Sequence, residues 1–126
     1  VKNKVILVGL LSVLFFTTKA EKGFVDNPIN EALLHKIARV ESNYNPKAVS
    51  KKGALGLYQI RYSVWGKELK KEGIIKGRQC LFDPNKNKKA AVHILNTYWY
   101  KTGNLRKTLH KYSGGAKNYA DKVLND

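Results

Sequence analysis

The stretch HKIARVESNYNPKAVSKKGALGLYQIR, His35 to Arg61, sets a single carboxylate, Glu41, among six basic side chains. Leu34, Ile37, Ala38 and Glu41 stand at i, i+3, i+4 and i+7, the spacing of one helix face. The stripe is apolar until its last member, which is an acid. Asn27-Pro28 predicts the start of this helix, with Asn27 as N-cap and Pro28 at the first helical position. Pro46 disfavours helical geometry at Asn45, so the helix is expected to end within Asn43–Pro46. Beyond it, SKKGALG reads as a glycine-punctuated loop and Leu57–Ile60 as a short helical turn.

The same periodicity continues outward. Ser63–Lys71 reads as a helix with Val64, Trp65 and Leu69 available for packing. Phe82-Asp83-Pro84 marks a further helix entry, and Ala91, Ile94, Leu95 and Tyr98 share a face of a helix from about Lys86 to Tyr100. Asn104 is placed to cap the next helix, which carries Leu105, Leu109 and Tyr112 on one side and ends at Gly114-Gly115. Tyr119, Ala120 and Val123 imply a last short helix. Strand-like alternation is nearly absent, so the expected fold class is mostly α, a compact group of five or six helices.

The chain has 126 residues, suited to one domain. Residues 1–20 have the layout of a secretory signal: Lys2 and Lys4, the apolar run Val5–Phe16, then Thr18 and Ala20 before Glu21. A retained anchor is the alternative, but the run falls short of the ~20 residues that span a bilayer, and no stable span is expected. The expected domain is therefore 21–126, exported to the periplasm or cell envelope. Without Lys2, Lys4 and Lys19 it has 21 basic against 9 acidic residues, which favours an anionic partner. Cys80 has no second cysteine to pair with, and His35, His93 and His110 have no zinc-ligand spacing. No metal or cofactor is expected.

A glutamate in line with core residues is drawn toward a low-dielectric wall, where desolvation raises a carboxyl pKa. The negative end of the helix dipole pushes the same way. Such a group holds a proton near neutral pH and can release it, as general acid catalysis requires. Periodicity alone leaves open a frayed, exposed helix end.

Twelve positions among nineteen, Glu41, Ser42, Tyr44, Asn45, Pro46, Ala48, Ser50, Gly53, Ala54, Gly56, Leu57 and Gln59, carry a fuller pattern. It resembles the signature of the soluble lytic transglycosylases, the goose-lysozyme-like cleavers of peptidoglycan. Asp83, Pro84 and Asn87 resemble that family's second motif, with Ala91 where glycine is usual. Tyr112, Gly115, Tyr119 and Val123 resemble its closing segment, with Ser113 in place of the common Asn. Tyr58 stands where the family often has Met. The likeness runs from about Asn30 to Leu124 and implies a lysozyme-like helical domain.

The resemblance implies that Glu41 is the single catalytic acid and base, acting between N-acetylmuramic acid and N-acetylglucosamine. Tyr112 is expected to hydrogen-bond Glu41 and hold its rotamer, or else to be a core aromatic. Ser50, Tyr58, Gln59 and Asn87 are expected at the substrate, with a turn role for Ser50 and a helix-entry role for Asn87 as alternatives. Tyr44, Trp65, Tyr98, Trp99 and Tyr100 are further candidates for sugar stacking, Tyr98 being favoured as core by its spacing. After Glu41 the next acid is Glu68, and Glu72, Asp83, Asp121 and Asp126 lie in other segments. A carboxylate without a local partner suits intramolecular attack by the sugar over the two-carboxylate chemistry of most glycosidases.

The expected partner is the peptidoglycan glycan strand, in the service of a secretion, conjugation or pilus apparatus or a phage. Two other readings stay open. A lysozyme-like muramidase would hydrolyse the same bond. A non-catalytic cationic wall- or nucleic-acid-binding protein would need only the charge, but the basic residues form no single stripe, and nucleic acid is not expected.

Overall fold

Asn30 sets where the first helix begins. Its backbone is extended (φ −128°, ψ 176°) and its Oδ1 accepts the Leu33 N–H at 2.9 Å, so α1 runs Glu31–Ser42. The start expected at Asn27-Pro28 is thus corrected by one turn. Asn27 instead turns the entering chain, accepting the Ile29 N–H at 2.8 Å, and donates from Nδ2 to Asn96 Oδ1 at 3.0 Å. The computed structural model describes residues 27–125; the expected signal segment lies outside them.

The end of α1 falls where Pro46 placed it, by a different device. Asn43 adopts the left-handed conformation (φ 52°, ψ 42°), and the N–H groups of Asn43 and Tyr44 close back on Arg39 O and Ala38 O. Ser42 then fastens the turn, donating from Oγ to Leu57 O at 2.7 Å and accepting the Asn45 N–H at 3.1 Å.

The expected helical turn at Leu57–Ile60 is a hairpin instead. β1 (Ala54–Leu55) pairs antiparallel with β2 (Ile60–Arg61), Ala54 opposite Arg61 and Leu55 opposite Ile60. The connection needs left-handed backbone at Gly56 (φ 77°) and Gln59 (φ 55°). A Cβ on Gly56 would lie 2.3 Å from Leu81 O and 2.5 Å from Asn87 Nδ2, so only glycine fits.

Four more helices complete the described chain: α2 (Tyr62–Lys71), α3 (Pro84–Thr102), α4 (Leu105–Tyr112) and α5 (Tyr119–Leu124), with a 3-10 turn at Arg78–Phe82. Asp83 caps α3, accepting the N–H groups of Asn85 at 2.9 Å and Lys86 at 3.1 Å behind Pro84. Asn104 caps α4 through the Lys107 N–H at 2.9 Å, as its position predicts.

α3 is the spine. Its buried face, Ala90, Ala91, Ile94 and Leu95, packs into one core with Leu34 and Ile37 of α1, Leu55 of the hairpin, Leu69 of α2, Leu109 of α4 and Val123 of α5. The alanines leave room for neighbouring elements to approach. Arg39 of α1 donates to Lys122 O at 3.1 Å, and Arg106 pairs with Asp121 at 2.7 Å, so α5 is held against both α1 and α4. Among the described residues no helix is long and apolar enough to cross a membrane.

Candidate active site

Glu41 leaves the last turn of α1 and enters a cleft of about 450 Å³. The hairpin and its preceding loop form one wall with Ser50, Ala54, Gln59 and Ile60. Val64 and Trp65 of α2 and Tyr98 of α3 form another, and Tyr112 to Gly114 close the end. Lys51, Lys52, Arg61 and Lys111 also line it, and among the described residues Glu41 is the one carboxylate that does.

Burial holds the Glu41 carboxyl above its ordinary value, against a hydrogen bond that favours the ionised form. That bond comes from Tyr119, whose hydroxyl donates to Oε2 at 2.7 Å. Tyr119 is itself buried, and desolvation together with the adjacent carboxylate drives its phenol far above the range of working pH. It therefore remains a donor whether Glu41 is charged or neutral. A protonated carboxyl held in one rotamer and facing a cleft is equipped to deliver a proton and to take one back.

The bond expected of Tyr112 is thus made by Tyr119. Tyr112 donates instead to the main-chain oxygen of Tyr58 at 2.7 Å, tying α4 to the hairpin turn. Its ring lines the cleft and lies 6.5 Å from that of Tyr119, while its buried hydroxyl is held well above the usual phenol range by desolvation and then by Glu41. Tyr112 thus borders the acid without bonding it.

Two expected substrate contacts are displaced from the cleft. Asn87 is fully buried, and both ends of its amide are occupied. Oδ1 accepts the Tyr58 N–H at 2.8 Å, and Nδ2 donates to Leu55 O at 2.9 Å and Leu81 O at 2.7 Å. It satisfies two backbone groups that so short a hairpin leaves unpaired and ties the hairpin to the 3-10 turn through Leu81 O. Tyr58 is buried too, and its phenol feels the charges of Lys88 and Glu31, neither of which lines the cleft.

Ser50 and Gln59 do reach the cleft. Ser50 Oγ accepts the Ala54 N–H at 2.9 Å, so its turn role is real, yet its own proton stays available. Gln59 Nε2 donates to Gly56 O at 3.0 Å and Ala48 O at 3.2 Å, which turns the amide within the wall.

Trp65 and Tyr98 meet edge to face at 5.8 Å on the opposite wall. Tyr98, favoured as core by its spacing, is a cleft residue. Tyr44 instead packs on His35, Trp99 is buried and Tyr100 lies on the surface; none of them lines the cleft. Tyr119 went unassigned in the sequence although the pattern Tyr119, Ala120, Val123 already put it on the buried face of its helix.

Comparison with known proteins gives the family and the fold. The family model described as the transglycosylase SLT domain matches residues 18–126. The membrane-bound lytic murein transglycosylase C of Edwardsiella ictaluri (strain 93-146) is 34% identical over 102 residues, covering 70% of this chain and 28% of that protein. Its namesake from Yersinia pestis (strain Pestoides F) is 35% identical over 99 residues, with the same shares. The crystal structure of the 70 kDa soluble lytic transglycosylase of Escherichia coli superposes with a TM-score of 0.61 at 28% identity, over 83% of this chain and 18% of that one. The chain thus spans under a third of the length of each of these relatives.

Proposed function

Because this chain belongs to the transglycosylase SLT domain family, we propose that it is a peptidoglycan lytic transglycosylase with Glu41 as its single acid and base. The observation that carries the reading is the half-buried Glu41, hydrogen-bonded by Tyr119 in a cleft lined by no second carboxylate among the described residues.

The protonated carboxyl gives its proton to the glycosidic oxygen as the bond from that oxygen to C1 of N-acetylmuramic acid breaks. The carboxylate so formed takes the proton from the C6 hydroxyl of the same sugar as O6 bonds to C1. The product is a 1,6-anhydro ring, no water is consumed, and Glu41 ends protonated, ready for the next bond. A carboxylate placed to activate water or to attack C1 would be needed for hydrolysis. Among the described acids outside the cleft, Glu31 pairs with Lys88, Glu68 with His93 and Asp121 with Arg106, Asp83 caps α3, and Glu72 lies exposed at the end of α2.

Ser50 and Gln59 are proposed to contact the sugar from the hairpin wall, and Trp65 and Tyr98 to offer it apolar faces. Action in the cell envelope is part of the proposal, supported by the relatives' names and by the signal-like start of the chain. Opening of the wall beside a secretion, conjugation or pilus apparatus, or by a phage, is the setting proposed for it.

Mass spectrometry of the sugars released from purified peptidoglycan, with Glu41→Gln alongside, tests the reading. Products ending in 1,6-anhydro-muramic acid, absent with the variant, are expected. Reducing-end products would replace it with a muramidase, and release that survives the substitution would remove Glu41 from the role.

A further inference from the structure

α2 carries Val64 and Trp65 of the cleft wall. Leu69 anchors this helix in the core, and Trp65 meets Tyr98 of α3 edge to face at 5.8 Å. A further tie is polar. His93 Nε2 of α3 lies 2.6 Å from Glu68 Oε2, a ring N–H donating to a carboxylate. Among the described residues it is the one side-chain hydrogen bond from α2 to another element.

Neighbouring residues of a helix point about 100° apart, so Glu68 leaves α2 on a different side from Leu69. Leu69 holds one point of the helix in the core, and Glu68 stops it rolling about that point. On α3, His93 and Tyr98 are five residues apart, about 140° around the helix, so they hold α2 from two flanks. The Tyr98 flank lines the cleft, whereas Glu68 and His93 lie outside it.

The side chains of His93 and Glu68 are 25% and 45% accessible, a setting in which an ion pair adds little to stability. What a bond at that place does is fix the roll of α2. The roll in turn decides where the Trp65 indole stands against Tyr98, on the wall facing the hairpin. We propose that Glu68 and His93 are positioning residues, whose bond holds Trp65 and Tyr98 at the spacing that grips the sugar and so sets affinity for the glycan without touching it. This inference rests on the transglycosylase reading and deepens it by placing two residues outside the cleft in control of substrate binding.

The test uses the whole chain carrying Glu41→Gln, so that no glycan is consumed. A tetrasaccharide of alternating N-acetylglucosamine and N-acetylmuramic acid is titrated by calorimetry. Adding His93→Ala or Glu68→Ala should weaken binding by about three- to tenfold, the scale of one aromatic contact. His93→Gln keeps an N–H donor at similar reach and should bind as the parent does. Urea midpoints should hardly move for any of the three. Acrylamide quenching gives a second readout: of the two tryptophans Trp99 is buried, so the accessible fluorescence is that of Trp65. It should be quenched more readily in both alanine variants and no more than in the parent with His93→Gln.

Unchanged affinity in the alanine variants, or no binding by the parent, overturns the inference. So does weaker affinity with unchanged quenching, which would take Trp65 out of the route. A urea midpoint that falls in step with affinity would make the pair a structural tie and overturns it as well. Cleavage by the native chain is measured separately. Cleavage with affinity indifferent to the pair defeats this inference alone, and affinity that follows the pair without cleavage defeats the transglycosylase reading alone.

Discussion

The Tyr119 hydroxyl lies 2.7 Å from Oε2 of Glu41, a bond between residues 78 positions apart in the chain. It makes α5, only six residues long, a component of the active site. The bond favours the ionised carboxyl while desolvation opposes it, and desolvation dominates. Tyr119 thus limits how far the acid is raised and fixes the direction in which its proton points.

Tyr119→Phe removes both effects. Without the donor the Glu41 pKa climbs further, so the basic limb of kcat/KM, where the acid loses its proton, should move to higher pH. The freed rotamer should lower kcat by roughly 10- to 100-fold at the optimum, the scale of a misplaced catalytic group. A pH–rate profile with an unmoved basic limb would mean that the bond does not govern the titration of Glu41.

Tyr112→Phe should behave differently. The bond lost is the one to Tyr58 O, which leaves a carbonyl of the hairpin turn without its partner. Stability should fall by about 1–2 kcal/mol in urea unfolding, with the basic limb where it was. A limb displaced as far as in Tyr119→Phe would return Tyr112 to the role first expected of it.

The exchange of the two tyrosines shows where sequence reading stopped. Helical faces were legible because their period is local: Leu34, Ile37 and Ala38 are buried as spaced, with Glu41 following them to the cleft edge. The caps at Asp83 and Asn104 were legible for the same reason. Tyr112 and Tyr119 are separated by a turn with left-handed backbone at Gly114, Gly115 and Asn118, and the path of that turn decides which hydroxyl meets Glu41. The hairpin was illegible because two-residue strands have no period to detect. What holds it is an amide 29 residues beyond Tyr58. Tyr98 continued the stripe of Ile94 and Leu95, but the last turns of α3 pass the cleft wall, so the same face changes from core to site.

Asn87→Ala should be a stability variant. It strips partners from Tyr58 N, Leu55 O and Leu81 O in a fully buried setting. The expected loss is about 3 kcal/mol or more, since each buried group left unsatisfied costs roughly 1–3 kcal/mol. Activity should fall with the folded fraction, and KM should stay near native at low temperature. A stable variant with a raised KM would place Asn87 at the sugar after all.

Glu41→Gln should separate catalysis from stability. Loss of the acid should lower kcat by about 10²- to 10⁴-fold. The fold should gain, because the native carboxyl is raised by burial. Between the ordinary carboxyl value and the higher folded value, the native state binds more protons than the unfolded chain, so native stability falls as pH rises through that window. A neutral amide can still accept the Tyr119 hydrogen bond and has no charge to desolvate. The variant should therefore be the more stable of the two above the window, and the two should converge below it. Denaturant melts across pH check this: parallel curves would mean that burial does not penalise the charge, and the physical reason for a proton waiting on Glu41 would be lost with it.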